Sequence, residues 1–343
     1  MTYLDHAATT PLLPQARAAL LHGLDCWANP SSPHRAGRAA RAALEDARAR
    51  IMSALGWEGE LVFTSGASEA LAIALTRARM PVAAVSAVEH EAVLRHAGAA
   101  VRLTVDASGL VNPATCALAG LVAVQQVNNE TGVIQPVDAI AQAVRGAGGL
   151  LLADCAQGAG KIALPDADMV AISAHKFGGP IGIGALLVRD WAMLTPTGGQ
   201  ERGYRGGTEN LPGALAMAAA LDAGNAWMTQ AQHLRGLLDR ELAEAGAVPI
   251  APDAPRIATI ASYRMPGKSA AAQLIRFDGA GIAVSAGSAC SSGSLKTSHV
   301  LDAMGVDGAA EVIRVSIGRE TTGEDIAAFV RLWREIAGAR HAP

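Results

Sequence analysis

Short, nearly continuous apolar runs recur through the first half of the chain, with helical patterns between them. The runs are "LVFTSG", "PVAAVSAV", "GLVAVQQV", "GLLLAD", "DMVAIS" and "IGALLVR". A strand that is apolar at successive positions, rather than at alternate ones, is buried on both faces. Between the runs, stretches such as "PVDAIAQAVRGAG" carry apolar residues at helical spacing and close on glycine. Strands alternating with helices build βαβ units, so the expected class is α/β, with a mostly parallel sheet covered by helices on both faces. An earlier stretch, roughly 34–55, puts Ala40, Leu44, Ala47, Ile51 and Leu55 on one helical face and stops at Gly56.

The pattern changes after residue 228. "QHLRGLLDRELAEAG" reads as a connecting helix, followed by the β-like "IATIASYRM" and a helix in "SAAAQLIRFDGAG". A loop of small polar residues surrounds Cys290, and a last helix begins near Glu324. The expected organisation is a large α/β domain over 12–228 and a smaller α+β domain made from 1–11 and 229–343.

Charge and composition remove several classes of function. A net charge of −3 gives no basic footprint for nucleic acid or a membrane surface. No apolar stretch reaches the roughly 18 residues of a membrane span, and "MTYLDHAATTPLLP" lacks the apolar core of a signal peptide. Cys26, Cys116, Cys155 and Cys290 lack C-x-x-C spacing, so neither a zinc knuckle nor a disulfide framework is indicated. Four free thiols fit a reducing cytoplasm.

Ligands of open parallel sheets bind beyond the carboxyl ends of the strands, and the chemically notable residues fall there. "SAHKFGGP" sets Lys176 between two apolar runs. It is either a turn lysine snorkelling to water or an amine kept partly desolvated to form a Schiff base. "TSGASEA" opens a helix whose free amides and Ser68 hydroxyl suit a phosphate, or simply an ordinary helix start. Asp154 ends "LLLAD" and His90 ends "AVEH". The acid suits a protonated ring nitrogen and the imidazole a stacking or proton-transfer role, although both residue types also serve structure. "VQQVNNETG" delivers Asn128, Asn129 and Glu130, and "YRGGTEN" offers Thr208. Together these are phosphate donors, a pyridinium partner, a ring stacker and an amine, the set that pyridoxal phosphate needs as an electron sink. Cys290 sits in "SAGSACSSGSLKTS" among small polar residues, with Lys296 nearby. That setting suits an exposed reactive thiol, whereas most free cysteines are inert packing.

In their order, "YLDHAATTP", "NPSSPHRAGR", "VFTSGASEA", "VEHEAVL", "VNNETGVIQP", "DCAQGAGK", "SAHKFGGPIGIGAL", "RGGTEN", "SAGSACSSGS" and "IRVSIGR" resemble the cysteine desulfurases of the NifS/IscS type. These belong to the class-V aminotransferases, fold-type I pyridoxal-phosphate enzymes that are usually homodimers. The resemblance runs from Tyr3 to about Thr322. It implies that Lys176 forms the Schiff base and that Ala67, Ser68, Ser173, His175 and Thr208 hold the phosphate, Thr208 coming from the partner subunit. It further implies that Asp154 pairs with the pyridinium nitrogen, Gln157 and Asn129 contact the ring's oxygen side, and His90 stacks on its face and assists proton transfer. Arg314 would hold the substrate carboxylate, a task suited to a guanidinium fork. By the same resemblance Cys290 takes sulfur from L-cysteine as a persulfide, alanine is released, and the sulfur passes to a protein acceptor such as an iron–sulfur scaffold.

The longer "CSSGSLKTSHVLDAM" looks like the group with an extended cysteine loop, which favours direct handover to partner proteins. Three departures are visible. "GASEALAI" is about two residues shorter than the usual segment and lacks its asparagine, Ala286 stands where serine or glycine is common, and the chain, ending at Pro343, is expected to lack the C-terminal extension that some relatives use to dock a scaffold. A selenocysteine lyase shares the same chemistry and would be separated by relative turnover of the two substrates. An aminotransferase has no use for a cysteine loop. A non-catalytic assembly partner has no use for Lys176, Asp154, His90, Arg314 and Cys290 together.

Overall fold

A computed structural model describes residues 1–26, 28–287 and 298–338. In chain order, strand β1 (Thr2–Tyr3) precedes helices α1 (Pro14–Asp25) and α2 (Arg35–Leu55). Then come β2 (Glu60–Thr64), α3 (Ala67–Arg77), β3 (Val82–Ser86), α4 (Glu91–Leu94), β4 (Val101–Leu103) and β5 (Leu121–Gln125). They are followed by α5 (Val137–Gly146), β6 (Leu150–Asp154), β7 (Met169–Ser173) and β8 (Gly184–Val188). The remainder holds α6 (Leu211–Asp222), α7 (Met228–Glu244), β9 (Val248–Pro249), β10 (Ile260–Arg264) and α8 (Ala270–Gly279). Last are β11 (Ile282–Ala283), α9 (His299–Ala303), β12 (Val312–Ser316) and α10 (Gly323–Gly338).

Seven strands form one sheet in the order β2-β8-β7-β6-β5-β3-β4. Neighbours from β7 through β4 run parallel, while β8 lies antiparallel to both β7 and β2. The continuous apolar runs have the cause expected of them: β5, β7 and β8 are buried at every residue. Successive side chains feed opposite cores. Val122, Val124, Leu151, Ala153, Val170 and Ile172 pack with residues of α1, α2, α5 and α6. Leu121, Ala123, Leu152, Ala171 and Leu186 pack with residues of α3 and α4. The Gly56 stop is also as read, since this residue ends α2 in the left-handed conformation (φ 62°).

A second sheet, β12-β10-β9, is antiparallel, and β1 pairs in parallel with β11. A separate core joins Leu4 to residues of α7, α8, β10, β12 and α10, with Trp333, Phe329 and Phe277 at its centre. The small strand β4 and helices α1 and α6 have no counterpart in the sequence reading. No described helix is long and apolar enough to cross a membrane.

Candidate active site

Five strands of the large sheet end on the same edge, and each hands a side chain or turn to one cavity of about 360 Å3. After β2, the turn Ser65–Gly66 leads into Ala67 and Ser68, the first residues of α3. Among the described residues, no side chain caps this helix start. Its first-turn amides therefore face the cavity with the positive end of the helix dipole behind them, an arrangement suited to an anion. Gly184, where β8 begins, lets the turn sit this close: a Cβ there would lie 2.6 Å from the Gly66 Cα and 2.5 Å from the Ile172 oxygen.

Asp154 ends β6 at the cavity floor. Its Oδ1 accepts a hydrogen bond from the Ala156 amide at 2.9 Å. Burial pushes its carboxyl above the usual carboxylate range, and the Ala156 amide, His90 and Lys176 oppose that shift. Glu89, fully buried beside it, is pushed well above the carboxylate range by burial and by the Asp154 charge, and accepts the Gln125 amide at 2.7 Å. His90 caps α4, its Nδ1 accepting the Ala92 amide at 3.1 Å, while its ring lines the cavity. Burial lowers its pKa, so the imidazole is held toward its neutral form.

After β7 a single 3-10 turn, Ala174–Lys176, brings Ser173, His175 and Lys176 to the rim. Lys176 Nζ donates to the carbonyls of Ala7 at 2.6 Å and Ala8 at 2.8 Å. His175 Nδ1 lies 3.2 Å from Thr9 Oγ1, and burial with the nearby lysine charges takes its pKa down to about 4. Gln157 Nε2 donates to the Ala7 oxygen at 2.9 Å, and its buried Oε1 has no partner among the described residues. Arg314, in the middle of β12, crosses from the small sheet. It donates to the Asn129 carbonyl at 3.0 Å and to Asp5 Oδ1 at 2.7 Å, and its Nε has no partner among the described residues.

Ten of the residues singled out in the sequence thus line one cavity: Ala67, Ser68, His90, Asn129, Asp154, Gln157, Ser173, His175, Lys176 and Arg314. Thr208 does not; it is exposed in a loop outside it. Cys290 lies outside the described residues. Asn128 belongs to the turn, its Oδ1 accepting the amides of Glu130 and Thr131 at 2.9 Å. Glu130 is buried against Ser298 Oγ, and a Cβ on Gly287 would fall 1.9 Å from its Oε2. Glu130 therefore touches the two described residues that flank positions 288–297.

What the sequence reading missed is the segment 5–10. Asp5, Ala7, Ala8 and Thr9 supply the partners of Arg314, Lys176, Gln157 and His175. The signal was the "LDHAATT" string, quoted as a family mark without assigned roles. The "GASEA" segment is braced by Glu69, which accepts the Ser65 amide and pairs with Arg205 at 3.0 Å.

These parts fit pyridoxal phosphate. An uncapped helix start suits the phosphate, a buried acid suits a protonated ring nitrogen, the unpartnered Gln157 amide oxygen suits a hydroxyl donor, and an amine stands at the rim.

The profile of the family described as aminotransferase class-V matches residues 2–329. The cysteine desulfurase of Cereibacter sphaeroides is 37% identical, with 94% of this chain and 92% of that protein aligned. The solved structure of a NifS-like protein from Rickettsia africae superposes with a TM-score of 0.90 at 30% identity, covering 99% of this chain and 100% of that one. That of SspA in complex with cysteine superposes at 0.79 with 28% identity, covering 94% and 100%.

Proposed function

The chain belongs to the aminotransferase class-V family and is a cysteine desulfurase dependent on pyridoxal phosphate; on that premise we propose that Lys176 carries the cofactor, Arg314 holds the L-cysteine carboxylate and Cys290 takes the sulfur. The observation that carries this reading is the convergence of Lys176, Asp154, His90, Arg314 and the uncapped start of α3 on one cavity. Bound there, pyridoxal phosphate supplies an aldehyde for condensation with amines and a ring that draws electrons away from the substrate Cα.

The protein's own residues do the rest. The α3 amides, Ser68, Ser173 and His175 hold the phosphate. Asp154, costly to ionise in isolation, gains a cationic partner in the protonated ring nitrogen, which favours its charged form. Arg314 presents a partnerless Nε toward the substrate carboxylate, while its two Nη groups are fixed by Asn129 and Asp5. Lys176, held by two backbone carbonyls, removes the Cα proton. His90, kept toward the neutral form by burial, stands as a second proton carrier. The Cys290 thiolate attacks the substrate sulfur. The substrate C–S bond breaks as the S–S bond forms, leaving a persulfide on Cys290, and the carbon skeleton is protonated to alanine.

By the family resemblance the Thr208 hydroxyl serves the phosphate of a second copy's site; in its own chain it lies exposed, outside the cavity. A homodimer, a protein sulfur acceptor and a cytoplasmic location belong to the same proposal. So does the division into domains at residues 12 and 228, supported by two cores, one of which gathers Leu4 with residues beyond 228.

The test is Cys290→Ala. The variant should keep its bound cofactor and lose release of alanine from L-cysteine. Alanine formed at the wild-type rate would remove Cys290 from the reaction.

A further inference from the structure

Behind Lys176 lies a second and far smaller cavity of about 10 Å3, room for about one water molecule. Lys176 and Ala7 line both this chamber and the main cavity. Its other walls include His6, Lys161, Trp227, Thr259 and Arg319.

Three buried polar atoms of these walls have no hydrogen-bond partner among the described residues: His6 Nδ1, Thr259 Oγ1 and Trp227 Nε1. Buried polar groups are otherwise almost always satisfied, and a buried water typically makes about three hydrogen bonds. Lys161 is 5% exposed, so its ammonium is costly where it stands. Nothing in the reaction described above uses it.

We propose that the chamber holds one water bonded to His6, Thr259 and Trp227, and that beside it Lys161 and Lys176 share a single proton, Lys161 acting as a positioning residue for the cofactor-bearing amine. Lys161 is buried and Lys176 half-buried, and two ammonium groups on the walls of one small chamber repel each other, as paired buried carboxylates do. The exchange balances: the proton that leaves one amine is the one that enters the other, and the water stays neutral on its three wall partners. Burial first, and the Lys176 charge second, bring Lys161 down to about 7. The other charged or titratable groups facing it are His6, His175 and Arg319, with Asp325 acting on His6. Burial holds both histidines at about 4, so near neutral pH the cations here are Arg319 and the shared lysine proton.

The inference rests on Lys176 being the residue that binds the cofactor. The experiment is a pH titration of the visible absorbance of the holoenzyme and of Lys161→Met. Loss of the competing cation should raise the midpoint by about one pH unit. An unchanged midpoint, with cofactor bound and thermal melting preserved, would overturn the proposal. Borohydride reduction and peptide mass analysis keep the two readings apart: attachment at another lysine would sink the Lys176 assignment, whereas attachment at Lys176 without a shift would sink only this inference. If Lys161→Met does not fold, a high-resolution crystal structure of the wild-type holoenzyme decides. Ordered water within hydrogen-bond distance of at least two of His6, Thr259 and Trp227 supports the proposal, and a chamber without density overturns it.

Discussion

Lys176 stands where three pieces of backbone meet: the end of β7, the turn that follows it, and the segment 7–8 whose carbonyls hold its amine. Lysine carries a primary amine whose pKa falls readily when it is desolvated, which is why it serves in Schiff-base chemistry. Lys176→Ala should therefore abolish both turnover and covalent retention of cofactor after borohydride reduction. A cofactor-labelled peptide from another part of the variant would contradict the assignment. At this scale the sequence was most legible where one strand end carries one chemically distinctive residue, as with Asp154, His90 and Lys176. It was least legible where the work is done by backbone. The carbonyls of Ala7 and Ala8 leave no mark on side-chain chemistry, and the Asp5–Arg314 pair spans a separation that local patterning does not reach.

Among the elements, the loop that carries Thr208 is anchored by a buried ion pair. Glu201, with φ at +47°, accepts from Arg48 Nη1 at 2.9 Å and Nη2 at 3.0 Å, and also from the Phe63 amide at 2.7 Å. Arg48 lies on α2 and Phe63 on β2, so one carboxylate ties helix, strand and loop together. Arg48→Met would leave that carboxylate buried without its cation, at a cost of about 3–5 kcal/mol, read from urea unfolding. A loss under about 1 kcal/mol would mean that the loop relaxes and exposes Glu201. The strands and helices of the large sheet were legible because burial on both faces writes itself as unbroken apolar runs. β8 was read as a strand, but its antiparallel direction depends on the chain turning back through residues 177–183, which an apolar run does not encode. Helices α1 and α6 pack on each other through small residues. Long runs of alanine and leucine there blur the helical stripe that reveals an amphipathic helix.

For the molecule as a whole, buried basic groups give stability a direction with pH. His6 is held at about 4 in the fold, chiefly by burial, against 6.5 when unfolded. A base with a depressed folded pKa binds fewer protons than its unfolded counterpart between those values. Its penalty is absent above pH 6.5 and grows as pH falls toward 4, to roughly 3 kcal/mol. Lys161, held at about 7 against 10.5, acts in the same direction between pH 10.5 and 7. Urea unfolding of the wild type should show stability falling from pH 6.5 to 4, and His6→Asn should make that fall shallower, the remainder coming from the similarly depressed His175. An equally steep fall in His6→Asn would place the loss elsewhere. The two cores meet at the main cavity, Arg314 reaching in from one and Asp154 from the other.

The central claim is the transfer of sulfur from L-cysteine to this chain. The direct measurement incubates purified, cofactor-loaded protein with L-cysteine, quantifies alanine, and locates added sulfur by peptide mass analysis. Alanine formed together with one extra sulfur on Cys290 is the predicted result. Bound cofactor with neither alanine nor a persulfide on Cys290 would contradict it.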